Sequence, residues 1–167
     1  MLNTYYNVFV LVDRGDQPNI SGVQLGIEYA GAYNYDGGKL PISVFSWNGC
    51  DHFESQSQNP TWPGPSSGIL SSGDTHSCPN DDIHVAGFFY MAAYAPATMS
   101  VIARPVDHTL KVATCTGLEI VLDAPQDAGS VVFSATGGGG CNPCNAPCAV
   151  VAVQPSTWGR IKANAGF

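Results

Sequence analysis

The sequence predicts an all-β fold: a single β-sandwich or jelly-roll-like domain stapled by disulfides, with a short C-terminal helix or tail. Three observations predict it. The 167 residues include 19 glycines and 12 prolines, which favour many turns between short elements. Apolar segments of strand length recur between those turns. The six cysteines are an even number, which is typical of a disulfide framework in an oxidising compartment.

The first segment, Thr4–Val12, reads TYYNVFVLV and is apolar on both faces. Such a strand is expected to be buried on both sides. It either pairs within its own sheet or is donated to complete a neighbour's sheet. We therefore separate an N-terminal strand (1–14) from a β-sandwich domain (15–148) and a C-terminal tail (149–167). The residues assigned to assembly are Tyr5, Tyr6, Val8, Phe9, Val10, Leu11 and Val12.

The next elements follow from alternation and turn signals in chain order. Ile20–Ala30 alternates as a half-buried strand, and Pro41–Trp47 is a second strand before the loop Asn59–Gly73. Ile83–Tyr94 is a long apolar strand, which is expected to pair with Thr98–Arg104 across a short turn. Two further strands are expected at 111–122 and 130–135, and a short helix is expected at 156–162. The expected core consists of Val23, Leu25, Ile27, Val44, Trp47, Val85, Phe89, Val101, Val131 and Phe133.

The cysteines suggest a secreted protein, located outside the cell or at its surface. Cys50 and Cys78 flank the proline-rich loop, so we expect them to pair with each other. Closing that loop would stabilise the fold by roughly 3 kcal/mol. The first residues lack the basic start and apolar core of a signal peptide. Secretion therefore assumes a leader that was removed or lies outside this sequence.

The last cysteines form a cluster, CNPCNAPC, at Cys141, Cys144 and Cys148. We expect Cys115 to pair into this cluster, first with Cys144, which leaves Cys141 for Cys148. The alternative is a metal site, because three thiolates at these spacings are able to hold zinc or an iron–sulfur cluster. A fourth ligand would then come from Cys115 or a histidine.

The charge and the hydropathy of the chain argue against two classes of partner. The formal net charge is −7, from 13 acidic and 6 scattered basic residues, which argues against binding of nucleic acid. No apolar run reaches the roughly 18 residues of a membrane span. Charged residues make up only 11% of the chain, against about 25% in an ordinary soluble protein. Because a surface covered by neighbours needs less charge, the expected partner is a second copy of the chain.

No catalytic pattern is recognised, so we expect no enzymatic activity, no cofactor and no metal. A hydrolase triad needs a serine, a histidine and an aspartate brought together, with the nucleophile on a strained turn, and serines are frequent enough in this chain for chance proximity. Asp13 and Asp16 share a turn and Asp81-Asp82 opens a strand, which leaves calcium as an alternative ligand. Trp62 is the candidate aromatic for binding a glycan. Asn19 begins a sequon and is a possible site of glycan attachment.

A set of short motifs recurs in one order along the chain. They are GVQLGIEY from Gly22, WNGC from Trp47, WPGPSSG from Trp62, VATC from Val112, CNPC from Cys141 and STWGRIK from Ser156. This set resembles a group of uncharacterised secreted β-rich proteins of environmental bacteria. The resemblance spans most of the chain and implies export and a β-rich domain. It implies no activity.

These observations together predict a structural subunit of an extracellular assembly, such as a filament, a pilus-like fibre or a surface layer, built by strand addition. A head-to-tail contact that does not close generates a filament. The alternative is a secreted carbohydrate-binding or calcium-dependent adhesion module, with glycans as partners. A hydrolase is the remaining alternative.

Overall fold

The structure is a computed structural model that describes residues 2–73 and 81–141. The regular elements in these ranges are all β-strands, which confirms the all-β prediction. Accordingly, the described residues contain no helix long and apolar enough to cross a membrane. The strands are β1 (Thr4–Asp13), β2 (Gly22–Tyr29), β3 (Gly31–Tyr33), β4 (Ile42–Gly49), β5 (Phe53–Gln56), β6 (Ser67–Ser72), β7 (Ile83–Ala93), β8 (Ala97–Ile102), β9 (Leu110–Ala113), β10 (Glu119–Leu122), β11 (Ser130–Ser134) and β12 (Gly137–Cys141).

The strands form two sheets. The smaller sheet has four strands in the order β1-β7-β4-β3, and the larger sheet has eight strands centred on β2. β6 pairs along one edge of β2, while β9 and β8 share its other edge, at Gly22–Gln24 and Gly26–Tyr29 respectively. β5 lies beyond β6, β10 beyond β9, and β11 and β12 beyond β8. This arrangement is consistent with a β-sandwich.

The core is formed by inward side chains from both sheets. Leu25 on β2, Val44 on β4 and Phe89 on β7 are each at most 1% exposed and belong to one hydrophobic cluster. The predicted core residues are buried or packed against this cluster, with one exception. Val85 is 36% exposed, so its assignment to the core is wrong.

A β-bulge explains the position of Val85. Val10 of β1 pairs with Gly87, but the next residue, Leu11, pairs with Val85, so Ala86 is an extra residue in β7. An extra residue reverses the alternation of the strand beyond it. Side chains after the bulge, such as Phe89, therefore face the core, while Val85 before it faces outward.

β2 is buried more completely than the half-buried strand that the sequence predicts. Gln24 is only 3% exposed, and its Nε2 donates to Oδ2 of Asp107 at 2.9 Å and to Oγ1 of Thr109 at 2.5 Å. A Cβ at Gly26 would lie 2.8 Å from Cδ of Pro105. The loop between β8 and β9 therefore covers the outer face of β2, which alternation alone does not indicate.

Several predicted connections differ in the structure. β7 and β8 do not pair across the short turn between them, because β7 belongs to the smaller sheet and β8 to the larger one. The predicted strand 111–122 is a hairpin of β9 and β10. β6 occupies part of the predicted loop 59–73. The predicted helix at 156–162 lies outside the described residues.

β1 pairs with β7 of its own chain along the whole of Thr4–Asp13. This is the in-chain alternative of the two that the sequence leaves open. The expectation that β1 is buried on both faces is wrong, because Tyr5 is 63% exposed. The inner face carries Val10, which is buried, and Tyr6 and Val8, which pack against the core. β1 is therefore an edge strand with one buried and one outward face.

Candidate functional site

The candidate site is the outer face of the smaller sheet at the edge formed by β1. β1 is the outermost strand of the smaller sheet, whose order is β1-β7-β4-β3. Among the described strands it therefore pairs with β7 alone. Thr4–Val12 contains no charged residue and no proline. Charges and prolines are the usual means by which proteins protect an edge strand from pairing with another chain. We refer to this edge as the β1 edge.

Aromatic rings cover the outer face beside the β1 edge. We define the aromatic cluster by its five members: Tyr5, Phe9, Phe45, Phe88 and Tyr90. The centroids of Tyr5 and Tyr90 are 5.8 Å apart with the ring planes 14° from parallel. Phe45 lies 5.8 Å from Tyr5 and 5.4 Å from Tyr90. Phe9 and Phe88 are 5.3 Å apart.

Alternation and a second bulge bring these rings to one face. Tyr5 and Phe9 alternate outward along β1, and Tyr90 does so on β7. On β4 the register with β7 shifts between Val44 and Ser46, so Phe45 is the extra residue and its ring joins the outer face. Tyr5 at 63% and Tyr90 at 40% remain substantially exposed. The surface thus offers flat apolar rings with phenolic hydroxyl groups.

An ion pair lies at the end of the β1 edge that follows Asp13. Arg14, directly after β1, donates from Nη2 to Oδ1 of Asp82 at 2.7 Å. Its Nη1 donates to the carbonyl of Gln17 at 2.7 Å. A cleft of about 270 Å³ beside this turn is lined by apolar side chains such as Ile20 and Leu122 and by the residues of the turn itself, 13–17. The guanidinium of Arg14 is already hydrogen-bonded to Asp82 and Gln17. We therefore do not propose a charged ligand for this cleft.

The aspartates proposed for calcium have other roles in the structure. Asp13 accepts a hydrogen bond from the backbone N–H of Gly15 at 2.8 Å, and Asp82 pairs with Arg14. Within residues 2–73 and 81–141, no group of three or more His, Cys, Asp or Glu side chains is gathered as for a metal ion. The calcium alternative gains no support from this geometry.

Trp62 does not present a face to a ligand, so its prediction as a glycan-binding aromatic is wrong. It is 3% exposed, and its ring packs 5.4 Å from Trp47 and 5.5 Å from Phe89. The loop is held inward because the hydroxyl of Tyr29 donates to the carbonyl of Pro63 at 2.9 Å. Burial, and to a smaller extent the charge of Glu28, raises the pKa of the Tyr29 phenol.

Asn19 has a structural role in the described fold. Its side-chain oxygen accepts a hydrogen bond from the backbone N–H of Cys115 at 3.2 Å. The other two positions of the sequon, Ile20 and Ser21, are buried. This side chain connects the segment before β2 to the turn that follows β9. Glycan attachment there remains a prediction.

The structure corrects one disulfide expectation. Cys50 is exposed and free directly after β4, so the bridge expected between Cys50 and Cys78 is not formed in it, and Cys78 lies outside the described residues. Cys115 is disulfide-bonded, and its partner cysteine is not among the described side chains. The pairings expected among Cys141, Cys144 and Cys148 concern side chains beyond that part of the chain.

Labelling with iodoacetamide followed by peptide mapping tests these assignments. We expect Cys50 to be alkylated without reductant and Cys115 only after reduction. Partial burial raises the pKa of the Cys50 thiol, and the carboxylates of Asp51 and Glu54 raise it further. Because the thiolate is the nucleophile, labelling of Cys50 should be slow at neutral pH and accelerate as the pH rises. Resistance of Cys50 to alkaline labelling until a reductant is added would instead mean that it is bonded.

One polar group escapes the sequence analysis. Asp51, Ser71 and His84 are far apart in sequence but meet at one end of the sandwich. Asp51 lies between the other two, whereas Ser-His-Asp catalysis needs the imidazole in the middle, beside the nucleophile. The group therefore does not have the arrangement of a hydrolase triad. No spacing or motif in the sequence connects these positions.

Compared with known protein families, with curated proteins and with solved structures, the chain has no significant match. Function therefore has to be inferred from the geometry of the described residues.

Proposed function

We propose that this chain is a structural subunit of an extracellular assembly, and that the β1 edge is the surface through which it contacts a second copy. The observation that carries the proposal is the combination of an edge strand with no charge in the nine residues Thr4–Val12 and an exposed aromatic cluster beside it. Unprotected edges add strands from other chains readily. Exposed aromatic side chains are enriched where proteins meet one another.

The mode of contact differs from donation of β1 itself. β1 is paired with β7 along ten residues, and donating it to a neighbour would first break that pairing. Addition of a neighbour's strand to the outer edge of β1 leaves the pairing intact. The neighbour would continue the smaller sheet beyond β1 and cover Tyr5. Two β1 edges joined antiparallel give a closed dimer, whereas joining β1 to a different edge gives a filament.

One property supports a location outside the cell, and a second supports assembly. Cys115 is disulfide-bonded, and such bonds persist in oxidising compartments. The charged fraction of 11% suits a protein whose surface is shared with neighbours more than one that diffuses alone.

Replacing Asn7 with lysine is the test. Asn7 is exposed between Tyr5 and Phe9 on β1, so the change should alter stability by less than about 0.5 kcal/mol. A charge that becomes buried between two copies is costly. We expect the dissociation constant for self-association to rise by at least about tenfold. Sedimentation velocity and negative-stain imaging of the full chain provide the measurement.

Val106→Lys is the matched control. Val106 is 67% exposed in the loop between β8 and β9, and it does not belong to a strand. This variant should assemble as the unmodified protein does, because the added charge is not on a strand edge. A monomeric unmodified protein at all concentrations would refute the proposal. So would equal assembly of the Asn7→Lys and unmodified proteins.

The aromatic cluster also favours the second candidate function, a glycan-binding surface. Sugars stack on exposed aromatic faces, and hydroxyl groups such as those of Tyr5 and Tyr90 add polar contacts. The two functions separate in one comparison. A glycan-binding module would remain monomeric and lose polysaccharide binding on Tyr5→Ala, whereas an assembly subunit would self-associate without any glycan.

A further inference from the structure

We infer that the partner of the β1 edge is the β1 edge of a second copy, joined antiparallel about a two-fold axis at Asn7. This inference rests on the proposed function and names the contact through which two copies meet. In this register Tyr5 faces Phe9 of the second copy, Phe9 faces Tyr5 of the second copy, and Asn7 faces its own counterpart. The smaller sheet then continues from one copy into the next.

The other outermost strands among those described are poor partners for β1. β3 has three residues and pairs with β4 in parallel. β12 consists of four glycines and one cysteine, and glycine weakens a strand. β5 contains Glu54 and β10 contains Glu119, and charged side chains discourage the addition of another strand to an edge. The described edge most open to pairing on one copy is therefore the same edge on the other.

Alternation along β1 limits the register of such a pair. Tyr5, Asn7 and Phe9 are exposed, whereas Tyr6 and Val8 between them pack against the core. Residues that face each other across an antiparallel pair lie on the same side of the sheet, so an outward residue has to face an outward residue. Pairing Asn7 with itself places both rings of one copy opposite rings of the other, a favourable contact. The next such register in either direction places one ring opposite Asn7 instead.

The charges near the β1 edge favour the antiparallel arrangement. Asp13 ends β1, and the ion pair of Arg14 with Asp82 lies at the same end. Antiparallel pairing about Asn7 puts these groups of the two copies at opposite ends of the joint, outside the uncharged segment. Parallel pairing in register would align Asp13 with its counterpart, and like charges directly opposite each other across a sheet are destabilising.

Asn7 suits a position that meets itself. Its side-chain amide both donates and accepts hydrogen bonds, so two copies of the same group are able to bond to each other. A lysine or an aspartate there would face an identical charge. The axis makes the contact isologous and closes the β1 edge, so a longer assembly grows from this dimer through a different surface.

Mixing two oppositely charged variants of the full chain is the first test. Asn7→Lys and Asn7→Asp should each self-associate at least about tenfold more weakly than the unmodified protein, because like charges face each other at the axis. An equimolar mixture of the two variants should restore most of the lost affinity, because lysine then faces aspartate. Sedimentation velocity measures each variant and the mixture.

A cysteine at the axis gives a second reading that does not depend on affinity. The background is Cys50→Ser, which removes the exposed free thiol. Facing residues of an antiparallel pair have Cα atoms about 4.5–5.5 Å apart, within the range of a disulfide. On oxidation with diamide, Asn7→Cys should therefore give a covalent dimer that reductant dissociates. Val106→Cys in the same background is the matched control and should give no more dimer than the background itself.

The outcomes separate this inference from the proposed function. Restored affinity in the mixture together with the Asn7→Cys dimer is the expected result. If the unmodified chain self-associates but the mixture stays dissociated and Asn7→Cys does not crosslink, β1 meets a different edge. The inference is then wrong while the proposed function stands. If the unmodified chain does not self-associate at all, both are wrong.

Discussion

Replacing Phe89 with alanine should lower the free energy of unfolding by about 3–5 kcal/mol. Phe89 is 1% exposed, and its ring lies 4.7 Å from Trp47 and 5.5 Å from Trp62. Trp47 is itself held, because its Nε1 donates to Oε1 of Glu54 at 2.8 Å. Large rings that are fixed in this way cannot move to fill the cavity that the alanine leaves. The loss of unfolding free energy should therefore be close to the upper end of this range. Equilibrium unfolding in urea measures it.

Phe53→Ala is the matched control for this experiment. The same atoms are removed, but Phe53 is 58% exposed on β5, so the expected loss is about 0.5 kcal/mol or less. Similar losses for the two variants would show that Phe89 does not face the core. The bulge at Ala86 would then be misplaced, because a one-residue change of register turns every later side chain of a strand to the other face.

Removal of residues 1–13 should abolish cooperative folding of the isolated chain. The deletion takes away the four side chains of β1 that belong to the core or pack against it, namely Tyr6, Val8, Val10 and Val12. Burial of each such side chain contributes about 1.5–3 kcal/mol, and a domain has only about 5–15 kcal/mol of net stability. It also leaves β7 without a partner along one edge. Circular dichroism and thermal unfolding provide the measurement.

A synthetic peptide of residues 4–13 serves as the rescue. Added to the truncated chain, it should restore a cooperative transition, while a peptide with the same composition in shuffled order should not. An unchanged unfolding free energy after truncation would contradict the pairing of β1 with β7. Because this experiment concerns the fold, its result is separate from the effect of Asn7→Lys on self-association.

The sequence predicts strands best where apolar alternation lies between clear turns. β7 is predicted at Ile83–Tyr94 and found at Ile83–Ala93. β6 is missed because its sequence, SGILSS, has little intrinsic preference for a strand. It is a strand because it pairs with β2, a long-range contact that local patterns do not encode.

Which sheet a strand joins is also beyond local patterns. The short connection between β7 and β8 is typical of a hairpin, but here it crosses from one sheet to the other. Which strands are neighbours depends on packing across the whole domain rather than on the length of one turn.

The candidate site was predicted in part. Low charge and the apolar sequence of β1 direct attention to Tyr5 and its neighbours, while the contributions of Phe45 and Tyr90 require the pairing of three strands. Trp62 shows the reverse. The prolines and glycines around it favour an exposed loop, but the hydrogen bond from the hydroxyl of Tyr29 to the carbonyl of Pro63 holds that loop against the core. Asp51 and His84 meet only because both sheets close at one end.

The pairing of the first strands determines when the chain is able to fold. β1 needs β7, and the two strands that share one edge of β2 begin at Ala97 and Leu110. Neither sheet can therefore be completed until most of the chain has left the ribosome. Topologies dominated by such distant pairings fold in milliseconds to seconds rather than microseconds. The first strands of a nascent chain of this kind therefore wait without their partners through most of its synthesis.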